Sequence, residues 1–100
     1  MNVTINNEGE KTLVRIEGRI DTTNAEQFQA ALAPLMKEEK AVIEIDCTDM
    51  VYTSSQGLRI FLMLQKAVNL HEGSLVLTNM NPQVKEVFDI TGFSNIIKIC

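Results

Sequence analysis

The residues most able to do chemistry stand together in Tyr52-Thr53-Ser54-Ser55-Gln56-Gly57-Leu58-Arg59. Three hydroxyls in a row followed by glycine make a poor strand and a poor helix interior. A serine hydroxyl has three uses: it attacks as a nucleophile, it accepts a phosphoryl group, or it caps a helix. The first use needs a base within hydrogen-bond reach. The only histidine, His71, falls in the turn His71-Glu72-Gly73, a whole helix away from Ser55 in sequence. Asp21, Asp46 or Asp49 would complete a triad on paper, but no G-x-S-x-G nucleophile elbow is present. A solvated turn histidine and no catalytic residue is the expected outcome. There is no glycine-rich phosphate loop of either common type. Asp46 and Asp49 are two carboxylates without a third ligand motif, so a solvated turn is favoured over a metal site. Cys47 and Cys100 lie far apart and suggest reduced thiols. No cofactor is implied.

The other two uses are compatible. Thr53 and Gln56 are three apart and fit a capping box, with Thr53 as the N-cap. Ser55 then lies in the first turn, where backbone N–H groups lack intrahelical partners and the dipole's positive end points outward. A phosphate there is locally welcome and adds a charge of roughly −1.5 to −2 at neutral pH. Gly57 leaves the turn open to close approach.

These residues need a scaffold, and the 100-residue chain suggests a single domain, residues 1–100. Its composition, 45% hydrophobic and 22% charged, is that of a folded protein. A net charge of −4 argues against nucleic acid and anionic membrane as partners. The longest apolar run, Ile60 to Leu64, is too short to span a bilayer, and Met1 to Lys11 lacks signal-peptide character. A cytoplasmic location is therefore expected.

Alternation at Val3 and Ile5, then at Leu13, Val14 and Ile16, predicts a hairpin around Asn6-Asn7-Glu8-Gly9-Glu10. Thr22-Thr23-Asn24 opens a helix, with Thr23 and Glu26 as a capping box and Phe28, Ala31, Leu32, Leu35 and Met36 at helical spacing. Pro34 is a misfit in it. Ala41 to Ile45 predicts a third strand, Ser55 to Leu70 a second helix and Leu75 to Leu77 a fourth strand. Asn81-Pro82 starts a third helix that Gly92 stops, and Ile96 to Ile99 predicts a fifth strand. The order ββαβαβαβ implies an α/β fold: a mixed, largely parallel five-stranded sheet with an N-terminal hairpin and three helices. Functional residues of such sheets gather beyond the C-terminal strand ends, where the hydroxyl run lies.

The segment IEIDCTDMVYTSSQGLRIFLML, Ile43 to Leu64, resembles the signature of the STAS domain, and more narrowly that of bacterial anti-sigma factor antagonists. VRIEGRIDTTNAEQFQAAL is similar to that family's second strand, Gly-x-x-Asp loop and first helix. EVFDITGFSNIIKI is similar to its last helix, glycine and final strand. The resemblance implies the STAS fold and a regulatory protein rather than an enzyme. It implies an anti-sigma factor that is also a serine kinase as the partner, released sigma factor as the result, and a PP2C-type phosphatase that resets the cycle. Ser55, two places before Gly57, matches the phosphoacceptor. Ser54, where many members carry Asp, is the second candidate. Asp21 matches the loop aspartate beside the acceptor, and Thr53, Ser54, Gln56 and Gly57 complete the neighbourhood. Asp21, Thr22, Thr23, Tyr52, Leu58 and Arg59 are the expected partner contacts. The alternative is a STAS module in a lipid-transport ABC system or a stressosome-like complex.

Overall fold

Strands lie in the sheet in the order they occur in the chain. The computed structural model describes residues 1–100. Its elements are β1 (Asn2–Glu8), β2 (Lys11–Ile20), α1 (Ala25–Leu32), β3 (Val42–Thr53), α2 (Ser55–Leu70), β4 (Ser74–Thr78), α3 (Pro82–Ile90) and β5 (Lys98–Ile99), with 3-10 turns at Ala33–Lys37 and Phe93–Asn95. β1 pairs antiparallel with β2; β2, β3, β4 and β5 then follow in parallel. The expected mixed sheet, hairpin and element order are all present.

One face of the sheet carries the core. Val14, Ile16 and Ile20 of β2, Ile43, Ile45 and Cys47 of β3, and Leu75 and Leu77 of β4 alternate inward and are buried. All three helices cover this face, because Phe28 of α1, Phe61 of α2 and Phe88 of α3 form one edge-to-face row at centroid distances of 5.2 and 5.6 Å. The opposite sheet face has no helix. It carries Lys11 paired with Glu44, and Arg15 paired with Asp46 at 3.4 Å.

Several boundaries differ from the sequence expectation, each for a local reason. The strands of the hairpin run on to a two-residue loop, Gly9-Glu10, with Gly9 at φ +69°. Asn24, not Thr23, is the N-cap residue of α1. The Thr23 hydroxyl is taken by the Asp21 carboxylate at 2.6 Å, so no Thr23–Glu26 box forms. α1 ends at Leu32, and Pro34 sits in the following 3-10 turn, whose bonding does not need its missing N–H. β5 is only two residues long; Phe93–Asn95 winds into a turn and leaves Ile96 exposed.

The largest departure is β3, which runs eight residues past Ile45, to Thr53. Its pairing with β2 shifts twice, between Arg15 and Glu17 and between Gly18 and Arg19, each time with an extra residue on β3. At the first bulge, the Asp46 carboxylate accepts from the Thr48 backbone N–H at 3.0 Å. Val51 is the extra residue at the second, and it is exposed. α2 spans Ser55–Leu70 as expected, and Asn81 and Pro82 start α3 as expected, with the Asn81 side chain accepting from Val84 N–H at 2.9 Å.

Candidate functional site

Parallel neighbours end side by side, and this fact builds the site. β2 and β3 pair as far as Arg19 with Tyr52 and Ile20 with Thr53. The chain then leaves β2 into the Asp21 loop and leaves β3 into α2, so two segments far apart in sequence meet at one sheet end. A backbone bond from Ser54 N–H to Ile20 C=O at 2.8 Å ties them.

Each hydroxyl of the run has a different place. Thr53 is the last inward position of β3; it is buried and its Oγ1 donates to Ser54 C=O at 3.2 Å. It is therefore not the N-cap. Ser54 holds that position, with extended backbone and Oγ accepting from Gly57 N–H at 3.2 Å. Ser54 is half-buried, while Ser55 and Gln56 are exposed in the first turn of α2. Of the first-turn donors, Ser54 N–H is bonded to β2 and Gly57 N–H to the cap. The amides of Ser55 and Gln56 are left without an intrachain partner.

Gly57 is buried against the strand ends. A Cβ there would press on Thr53 Oγ1 and lie 2.9 Å from Ile20 Cγ2. The close approach of helix to sheet at this point thus requires glycine. Leu58 is 4% exposed and belongs to the core, so it is no contact for a partner: on α2 it faces the sheet, away from Arg59.

The Asp21 loop is self-braced. Asp21 Oδ1 accepts from Thr23 N–H at 2.9 Å and from Thr23 Oγ1, while Asn24 receives Asp21 N–H at 2.9 Å and donates to Arg19 C=O at 2.8 Å. These bonds, the Thr23 hydroxyl first, hold the Asp21 carboxyl below its ordinary value, so it stays ionised. Thr22 and Thr23 are exposed. Between this loop and α2 lies a groove of about 480 Å³ lined mainly by polar side chains: Thr22, Thr23, Glu26 and Gln29 on one side, Gln56 and Arg59 on the other. On the uncovered sheet face, Arg19 stacks on the half-exposed Tyr52 ring at 4.3 Å.

Asp21, Thr22, Thr23, Tyr52, Ser55, Gln56 and Arg59 are thus brought to one end of the molecule. Sequence reasoning missed Arg19 and Val51, whose placement depends on strand register and a bulge. It also missed Glu26 and Gln29, whose i, i+3 spacing on α1 could have revealed them. The sequence marks Asn81 only as a cap. It also donates to Met50 C=O at 2.9 Å, bracing the tail of β3 from the α3 side.

The remaining candidates for chemistry fall elsewhere. His71 follows the other end of α2, 16 residues long and so about 24 Å from Ser55, and its Nδ1 meets Glu39 Oε1 at 2.6 Å. No Ser55–His71 pair exists. Asp46 is engaged by Thr48, Asn79 and Arg15, and no group of three His, Cys, Asp or Glu side chains is placed to hold a metal ion. Cys47 and Cys100 are free thiols; burial pushes the Cys47 thiol up to about 12, which makes it a poor nucleophile. No helix is long and apolar enough to cross a membrane.

Comparison with known proteins agrees with this architecture. The family model of the STAS domain matches residues 2–100. The chain is 35% identical to the anti-sigma-B factor antagonist of Bacillus subtilis over 99 residues, which cover 99% of this chain and 90% of that protein. It is 33% identical to the anti-sigma-B factor antagonist of Listeria monocytogenes over 84 residues, 84% of this chain and 74% of that one. Its fold resembles that of the Bacillus cell fate determinant SpoIIAA in its phosphorylated form, at a TM-score of 0.75 and 18% identity, with 99% of this chain and 91% of that chain covered.

Proposed function

The chain belongs to the STAS domain family, and on that premise we propose that it is an anti-sigma factor antagonist switched by phosphorylation of Ser55. In this reading the unmodified protein binds an anti-sigma factor that is also a serine kinase, and the bound sigma factor is released. The relatives' names support the antagonist role, and the phosphorylated form of SpoIIAA shows that a protein of this fold takes up phosphate.

One observation carries the choice of residue. Ser54 spends its hydroxyl on the cap, half-buried, while Ser55 next to it is exposed and makes no side-chain bond. Phosphate on Ser54 would turn the half-buried cap oxygen into a weaker-accepting ester oxygen and crowd its bond to Gly57 N–H. Phosphate on Ser55 would sit beside two unpaired amides at the positive end of α2.

The chemistry belongs to the partners. Ser55 Oγ forms a bond to the γ-phosphorus of ATP as the bond to ADP breaks. The hydroxyl proton passes to a base on the kinase, since His71 lies at the far end of α2. A PP2C-type phosphatase returns the serine by hydrolysis, with water supplying the new oxygen on phosphate. The added charge then faces any surface docked on the Asp21 loop, Tyr52 and the α2 groove.

Incubation with the cognate kinase and ATP, followed by mass spectrometry, tests the assignment. Label is expected on Ser55 and absent from Ser55→Ala; label confined to Ser54 would overturn it. In titrations with the anti-sigma factor, Ser55→Ala is expected to bind as wild type does. Ser55→Asp is expected to bind at least tenfold more weakly, about 1.4 kcal/mol. Equal affinities for wild type and Ser55→Asp would contradict the switch.

A further inference from the structure

We propose, resting on the reading of Ser55 as phosphoacceptor, that phosphoserine at position 55 pairs with Arg59 of the same helix. Phosphorylation then withdraws a cation from the groove as well as adding negative charge.

Four residues separate Ser55 and Arg59 on α2, so their side chains are neighbours on one helical face. The acidic member comes first in sequence, which is the favourable order for such a pair. Arg59 is exposed, lines the groove, and is in neither an ion pair nor a side-chain hydrogen bond. Of the other cations at this end, Arg19 is held on the Tyr52 ring, and the Met1 amino group lies against Gly18 on the β1 side of β2, away from β3 and α2. Arg15 and Lys11 are paired with Asp46 and Glu44 further along the open face. Arg59 is therefore the uncommitted cation within reach of a group on Ser55.

The anions near the site stand on the other side of the groove. Asp21 lies in the loop before α1, with its carboxylate bound to Thr23, and Glu26 lies in the first turn of α1 without an ion pair to Arg59. They repel a phosphate from the α1 side, and the guanidinium on α2 meets it from its own side. A planar guanidinium binds a phosphate through two parallel N–H···O bonds, which a lysine cannot match. Once so engaged, Arg59 no longer projects into the groove, and a partner that uses it loses that contact.

The test uses full-length chain assembled with phosphoserine at position 55, so that no kinase is needed. Phosphorus NMR follows the second ionisation of the phosphate in wild type, Arg59→Gln and Arg59→Lys, with circular dichroism to check that each is folded. The free amides of α2 are the same in all three, so their influence cancels. The dianion is expected to be favoured in wild type, placing its second pKa lower than in Arg59→Gln by on the order of half a unit. Arg59→Lys is expected to fall between them. Identical titrations for wild type and Arg59→Gln would overturn the pairing. Failure of the phosphoacceptor reading has a different signature: the kinase leaves Ser55 unlabelled, whatever this titration gives.

Discussion

Neighbouring hydroxyls in this protein do unlike work, and substitution should separate them. Ser54→Ala removes the cap of α2 and is expected to cost about 1 kcal/mol in urea unfolding. Ser55→Ala removes an exposed hydroxyl without a partner and should stay within about 0.5 kcal/mol of wild type. Equal losses at the two positions would mean that the cap is shared. Gly57→Ala pits two effects against each other. Alanine favours the helix by about 1 kcal/mol. Its Cβ, however, would press on the buried Thr53 and on Ile20, and such overpacking costs about 1–3 kcal/mol. A net loss is expected in thermal unfolding; a gain would show that the strand ends yield. The sequence made the hydroxyl run and its glycine conspicuous. It did not reveal which hydroxyl caps, because that depends on β3 ending with Thr53 turned inward opposite Ile20, a matter of strand register.

Elements were legible where one periodicity persisted. The bounds of α2 and the Asn81-Pro82 start of α3 follow from caps and helical spacing, and the structure has them there. The sequence predicts a short β3 because Asp46-Cys47-Thr48-Asp49 has turn composition. In the fold these residues form a bulge, with Asp46 holding the Thr48 amide, and the strand continues beyond it. That continuation carries the chain to the sheet end where the candidate site lies. Asn81 braces it by joining α3 to the Met50 carbonyl. Asn81→Ala is expected to cost about 1–2 kcal/mol, from the lost cap and the lost bond together. It should also speed hydrogen exchange at residues 51–53 more than at residues 43–45. Uniform acceleration along β3 would argue that Asn81 acts only as a cap.

Across the whole molecule, the uncovered sheet face gives an acid-sensitive component to stability. The Lys11 ammonium first, then the Thr78 hydroxyl, hold the Glu44 carboxyl below its ordinary 4.5, and Thr48 chiefly holds Asp46 below its ordinary 3.8. The unfolded chain therefore takes up protons at higher pH than the folded one. This contribution is complete above about pH 5 and is lost as pH falls through the folded values. Glu44→Gln with Asp46→Asn should lower the urea midpoint at pH 7 and flatten its decline between pH 5 and pH 3. A decline as steep as that of wild type would assign the acid response to other carboxylates. The order of strands has a separate consequence, for the route by which the chain folds. Each strand lies beside the one made immediately before it, and parallel partners such as Lys11 and Val42 are about thirty residues apart. The sheet can grow by addition at one edge, with no strand inserted between two already joined. Loop closure stays short at every step, so folding in the millisecond range of mixed α/β domains is expected in stopped-flow mixing. A rate-limiting phase of many seconds would mean that the sheet does not assemble by this edge-wise route.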